Sequence, residues 1–206
     1  MDAPKTLASE VECTERSRLL TRTHVKDLAR LVAGIRDAKG PGYKIPDFDP
    51  LDGGVNAEVL FLLEAPGRRA VTSGFVSRNN PDETARNFFL LSEEAGIDRR
   101  RTVTWNSVPW YIGSETKIRP ARREDIVEAN EWLKQLLAML KRLRLVVLVG
   151  KKALHAIHIV SSSRPDVHVM AMPHPSPMFI NRNPGNRIRI LTALTEVSAQ
   201  IASADA

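Results

Sequence analysis

His174 and Ser176 stand two residues apart among Pro173, Pro175 and Pro177, directly after the apolar run 167–172. Proline fixes φ and removes a backbone donor. The two polar side chains are therefore expected in a stiff exposed loop, held between residues that neither relax into a helix nor extend a strand. Three further segments have the same form, an apolar run that stops at small or polar residues: Glu64-Ala65-Pro66-Gly67, Asn106-Ser107-Val108-Pro109 and Gly150-Lys151-Lys152. Together they offer a carboxylate, an amide, an imidazole and hydroxyls on a basic background. That set suits hydrolysis of a bond whose leaving group is an anion needing hydrogen bonds.

The elements that would position these groups follow from periodicity. Leu19, Leu20, Val25, Leu28, Leu31, Val32 and Ile35 recur at helical spacing and give an N-terminal helical region, followed by a long Gly/Pro/Asp-rich connection over 39–56. The apolar runs 57–63, 102–105, 144–149 and 167–172 have strand length. Between and after them, helical patterns cover 81–97, 121–140 (the longest), 151–160 and 186–202. Strand and helix alternate four times, which predicts a three-layer α/β/α sandwich with a central four-stranded parallel sheet. One domain is expected over 1–206, with residues 1–50 as an N-terminal helical region and loop and 57–202 as the α/β core. In an open parallel sheet ligands bind outside the carboxyl ends of the strands, so the four exit segments should converge on one rim.

The 206 residues are 43% apolar, enough for a full core, and 30 Lys and Arg against 24 Asp and Glu leave a formal charge of +6. Such a balance favours a polyanionic partner, although a basic protein without one has the same composition. Cys13 is the single cysteine, which excludes an internal disulfide and a thiolate metal site built by this chain alone. No metal or other cofactor is expected. No apolar run reaches membrane-spanning length and no leader precedes the fold, so an intracellular, soluble protein is expected, in cytoplasm or nucleoid if the source is bacterial. Gly150-Lys151-Lys152 lacks the upstream glycine and following hydroxyl of a P-loop, and no HExxH, GxSxG or strand-following GxGxxG occurs. His155 and His158 lie at i, i+3 on one helical pattern, where a core or surface role is favoured over metal ligation.

Leu63-Glu64-Ala65-Pro66-Gly67 at the first exit and His174-Pro175-Ser176-Pro177 at the last, with Arg182-Asn183-Pro184 downstream, resemble the signatures of the uracil-DNA glycosylase superfamily. The first motif is similar to that of family 4. The resemblance covers about residues 57–191 and is specific in combination rather than in any single tetrapeptide. It departs from family 4 in lacking the four iron–sulfur cysteines, in Leu63 where that family has glycine, and in Arg68 and Arg69 where acidic residues are usual.

The resemblance implies a monofunctional enzyme that flips deoxyuridine out of DNA, hydrolyses its N-glycosidic bond and leaves an abasic site. A monomer acting on uracil-containing DNA, with no membrane partner, is expected. A glycosylase for hypoxanthine or xanthine is the alternative, and a catalytically silent nucleic-acid-binding relative is another, since Ala65 stands where family 1 has its aspartate. Residue by residue, Phe75 would stack on the base, unless it is a core residue. Asn106 would read O4 and N3–H, with a simple turn residue as the alternative. His174 would donate to O2 as charge develops there, or instead bond to backbone. Ala65 would line the base pocket. Glu64 would orient water or stabilise the sugar cation, or would only bond loop backbone while DNA phosphates do the stabilising. Pro66, Gly67 and Ser176 would bind phosphates, Met178 and Phe179 would wedge into the stack, and Lys151, Lys152, Arg182 and Arg187 would steer the backbone.

Overall fold

The computed structural model describes residues 2–114 and 119–203. Its central sheet holds four parallel strands, β2 (Val59–Leu63), β4 (Thr102–Asn106), β5 (Leu145–Val149) and β6 (His168–Met172), in the order β4-β2-β5-β6. These are the four expected strands. Helices α2 (Lys26–Lys39), α5 (Arg123–Met139) and α6 (Ile157–Ser163) and helices α4 (Glu83–Glu94) and α8 (Gly185–Ala202) account for the two outer layers. The expected α/β/α sandwich is therefore present.

Period-2 alternation divides the sheet between two cores. Leu60, Leu62, Val103, Trp105, Val146 and Leu148 pack with α2 and α5 on one face. Val59, Phe61, Leu145, Val147, Val149 and Met172 pack with Phe88 and Leu91 of α4 and with Ile190, Leu194 and Val197 of α8 on the other. At that second face β4 differs from its neighbours, because Thr102, Thr104 and Asn106 replace the aliphatic residues, yet all three are buried.

Several local readings are corrected. The longest helix is α8, at 18 residues, rather than α5, at 17. Asn106 is the last residue of β4 and pairs in register with Leu63, so a strand rather than a loop holds it. The segment 151–160 begins as a 3-10 turn, Lys151–Ala156, before α6. The proline loop is not wholly extended: Ser176 caps a helical turn, α7 (Pro177–Ile180), and Pro177 takes the first helical position, where its missing N–H costs nothing.

The connection 39–56 supplies β1 (Asp47–Phe48), a two-residue strand parallel to β3 (Phe75–Val76). Phe48 stacks on Trp105, with ring centroids 3.6 Å apart. The same connection contributes Asp49 and Asp52 to a buried ion network. Arg16, on α1 (Glu10–Arg18), places Nη1 2.7 Å from Asp49 Oδ1. Arg99 donates to Asp49, Asp52, Asp2 and Asn79. Burial alone would raise Asp49, but the charges of Arg99 and Arg16 outweigh it and hold the carboxyl below its ordinary value. Ser77 and Asn79 are tied into this network as well, so the segment 77–80 is fixed from behind.

Candidate active site

Chain order sets the location. From β2 the chain crosses to β4 on one side, and β5 then lies on the other side of β2, which makes the carboxyl end of β2 the switch point of the sheet. A cavity of about 390 Å³ opens there. It is lined by Leu63, Ala65, Pro66 and Gly67 after β2, by Thr104 and Asn106 of β4, by Val149 of β5, and by His174 and Pro175 after β6. The far wall comes from Val76, Ser77, Arg78, Asn80, Asp82 and, on α4, Ala85 and Phe88. Segments more than 100 residues apart in sequence thus meet, as the four-exit argument requires.

Asn106 is 3% exposed, and its Nδ2 has no hydrogen-bond partner. An unmade bond at a buried amide costs roughly 1–3 kcal/mol, so an orphan donor on a cavity wall marks a position that a ligand would satisfy. His174 faces the same cavity. Burial pushes its imidazole below the ordinary value of 6.5, against the opposite pull of the Asp82 and Glu64 carboxylates, so the ring is neutral at pH 7. The approach of His174 to β5 depends on Gly150, which has φ +82, and whose added Cβ would sit 3.0 Å from His174 Cβ. Glycine is needed there both for the backbone and for the space.

Other expected residues take different places. Glu64 does not line the cavity; its Oε1 accepts from the Ala121 backbone N–H at 2.7 Å, just before α5. The Glu64 carbonyl accepts from Ser107 Oγ at 3.1 Å, and that hydroxyl lies 3.0 Å from His155 Nε2. Three rim segments are cross-tied in this way, and His155 is engaged in the tie. Phe75 is 2% exposed within the β1–β3 pair and is absent from the cavity lining, where Phe88 supplies the aromatic ring. Tandem burial of Phe75 and Val76 follows from the short strand they form.

Arg68 and Arg69 line the cavity, and further cations are exposed outside it. Lys151, Lys152, Arg182 and Arg187 are exposed, although Arg187 is paired with Glu94. Met178 is 84% exposed, whereas Phe179 is half-buried against the α8 face, with the Arg189 guanidinium 5.7 Å from its ring centroid. Ser176 Oγ accepts from Phe179 N–H at 3.3 Å, which leaves its own proton able to donate outward.

Sequence reasoning missed Thr104, Arg78 and Phe88. Alternation along 102–106 would have placed Thr104 on the face of Asn106. Nothing local in the sequence marks Arg78, whose burial depends on the 49–52 connection folding behind it. Helix α3 (Arg68–Ser73), which follows the first motif, was also missed, because so short a helix turns in only Ala70 and Ser73 and gives no period to detect.

Such a parallel-sheet domain, with a buried amide and a neutral histidine facing one cavity at the switch point and Arg68, Arg69 and Arg78 in its lining, is built like a base-excising hydrolase. The Uracil DNA glycosylase superfamily matches residues 50–195, and the chain belongs to that family. It is accordingly a glycosylase-type protein of DNA repair. No curated protein sequence matches the chain. Among solved structures it is similar to SMUG2 of Pedobacter heparinus, with TM-score 0.56 and 11% identity over 71% of this chain and 77% of that one. A candidate uracil DNA glycosylase of Methanosarcina acetivorans, solved by NMR, shares 16% identity over 72% of this chain and 94% of its own, with TM-score 0.49. The SMUG2 likeness supports the fold. No helix among the described residues is long and apolar enough to cross a membrane.

Proposed function

We propose that the protein excises uracil from DNA by hydrolysing the N-glycosidic bond of a deoxyuridine flipped into the cavity. The orphan Nδ2 of Asn106 carries this reading: its amide offers a donor for O4 and an acceptor for N3–H, a pattern that cytosine would meet with the wrong polarity. His174 donates from a neutral ring to O2. As the C1′–N1 bond breaks, its electron pair moves onto the base, and a fixed donor at O2 stabilises the anion as it forms. Water then adds to C1′, its proton is released, and an abasic site remains.

Glu64 acts in this scheme by fixing the first motif to the start of α5, as its bond to Ala121 N–H indicates. The sugar cation is stabilised by the phosphates of the DNA. Phe88 rather than Phe75 offers the ring wall of the pocket. Pro66, Gly67 and Ser176 position the backbone, Lys151, Lys152 and Arg182 steer it, and exposed Met178 fills the gap the base leaves.

The test uses oligonucleotides carrying a single uracil, scored for alkali-labile sites. Wild-type protein is expected to release uracil and leave the strand uncut until alkali is added. His174→Ala should slow release on the order of 100–1000-fold, as removal of one oxyanion donor does elsewhere. A wild-type rate in that variant would show that His174 has no part in the chemistry.

A further inference from the structure

The two outer strands of the sheet are finished differently. Along β4 the outer edge is covered: Gly53 N–H donates to the Thr102 carbonyl at 2.8 Å, and Phe48 of β1 stacks on Trp105. Among the described residues no strand pairs with the outer edge of β6. The phase of its ladder is set at both ends, where His168 N–H donates to the Arg144 carbonyl at 2.9 Å and Gly150 N–H donates to the Met172 carbonyl at 2.8 Å. In a parallel pair each residue turns both backbone groups to one side, and the side alternates along the strand. His168, Met170 and Met172 therefore bond to β5, while Val169 and Ala171 present N–H and C=O outward. Val169 is half-buried and Ala171 is exposed.

Free edges of this kind are ordinarily blunted by charge, proline or a bulge. Residues 168–172 contain no proline, Lys, Arg, Asp or Glu. The edge also matches itself. Turned antiparallel about a two-fold axis at Met170, Val169 of one copy faces the partner's Ala171, so outward groups meet outward groups and hydrogen bonds close on both sides of the axis. His168 then faces the partner's Met172, and no like charges oppose each other. Helix α8 agrees with this match. Its Arg187 pairs with Glu94, and a Cβ at Gly96 would lie 3.9 Å from Ser198 Oγ, so these two positions turn toward α4 and the residues just after it. At 3.6 residues per turn the opposite side, toward the free edge of β6, carries Arg189, Ala193, Glu196 and Gln200. The same two-fold axis sends Arg189 of one copy toward the partner's Glu196, opposite charges with the small Ala193 between them.

We propose that β6 is a self-association edge, through which two copies of this chain join antiparallel into one continuous sheet, in place of the monomer that the resemblance implies. The proposal goes beyond the glycosylase reading and does not depend on it. Two five-residue edges span only about 17 Å and bury less than the roughly 800 Å² per partner of a standard interface. The association is therefore weak and depends on concentration. Antiparallel joining points the two cavities to opposite ends of the shared sheet, so each stays open to its own stretch of DNA.

Sedimentation equilibrium of the full chain over a rising concentration series tests this. The weight-average mass should climb from 22.9 kDa toward twice that value. Ala171→Pro removes an outward N–H and no bond of the ladder to β5, so the unfolding midpoint should hold while the dimer dissociation constant rises on the order of 10–100-fold. Cross-linking in a Cys13→Ser background reads the register. Met170→Cys puts two thiols at the axis with a Cα separation of about 4.5 Å, within disulfide reach, and should give a disulfide-linked dimer under mild oxidation. Ala171→Cys, whose two-fold mate lies more than about 7 Å away, should not. The cross-linking arm decides the matter even where Ala171→Pro disturbs the fold. A mass fixed at 22.9 kDa at every concentration, a dissociation constant unmoved by Ala171→Pro in a folded chain, or cross-linking no better at position 170 than at 171 would overturn the proposal.

Discussion

Two buried polar regions lie back to back across the segment 77–80, and they differ in one respect. Behind it, Arg16, Arg99, Asp49 and Asn79 are bound to one another, and only Oδ2 of Asp52 stands out among their buried side-chain atoms as unpartnered. In front of it, Arg78, Thr104 and Asn106 line the cavity, and Arg78 Nε, Thr104 Oγ1 and Asn106 Nδ2 are buried without a hydrogen-bond partner. Both regions contain buried arginine, so burial of charge does not by itself mark a site. What separates them is saturation. A saturated network fixes geometry, whereas orphan donors that share a cavity wall cost stability that an incoming ligand would restore.

The comparison can be broken at its saturated side first. Asp49→Ala leaves Arg16 without its buried counter-charge and takes one of the carboxylates from Arg99, which keeps Asp52, and should destabilise the fold by about 3–5 kcal/mol, read from urea unfolding. A change within ±0.5 kcal/mol would mean that the network is dispensable. Next in size, Gly150→Ala forces a side chain into a backbone region favourable only to glycine and against His174. It should cost about 1–3 kcal/mol and, by displacing the imidazole, slow base release on the order of 100-fold; an unchanged release rate would remove His174 from the account. The smallest effect is electrostatic. Because burial lowers the His174 value, the acid limb of the release profile, where the ring takes up a proton, should lie below that of an ordinary imidazole. Asp82 favours that proton, so Asp82→Asn, which keeps a capping side chain for α4, should move the acid limb lower still. A limb that moves upward would contradict the sign.

Much of the architecture was legible because long apolar runs and helical periods are local signals. The strands, their exits on one rim, and the placement of Asn106 and His174 on one cavity all followed from that pattern. Residues whose roles depend on distant partners were not legible. Glu64 has its carboxylate drawn away by the Ala121 N–H, 57 residues on, and Phe75 is turned into a two-residue strand whose partner lies in an apparently structureless connection. Arg78 is the clearest instance: in sequence it is one more basic residue near a turn, and only the fold behind it makes its charge tolerable inside the protein. Ser176 shows the opposite effect, where a proline-rich stretch read as stiff coil contains a capped helical turn because proline is welcome at that first position.

The most direct test of the contrast between saturated and orphan groups is single-turnover release of uracil from an oligonucleotide by wild-type protein and by Asn106→Ala, with the unfolding midpoint recorded for both. The account predicts that release falls on the order of 100–1000-fold while the midpoint stays level or rises, since the lost amide nitrogen had no partner to lose. Wild-type release from the variant, or a fall in stability matching that of Asp49→Ala, would show that Asn106 belongs to the framework and that the cavity is not where the base is read.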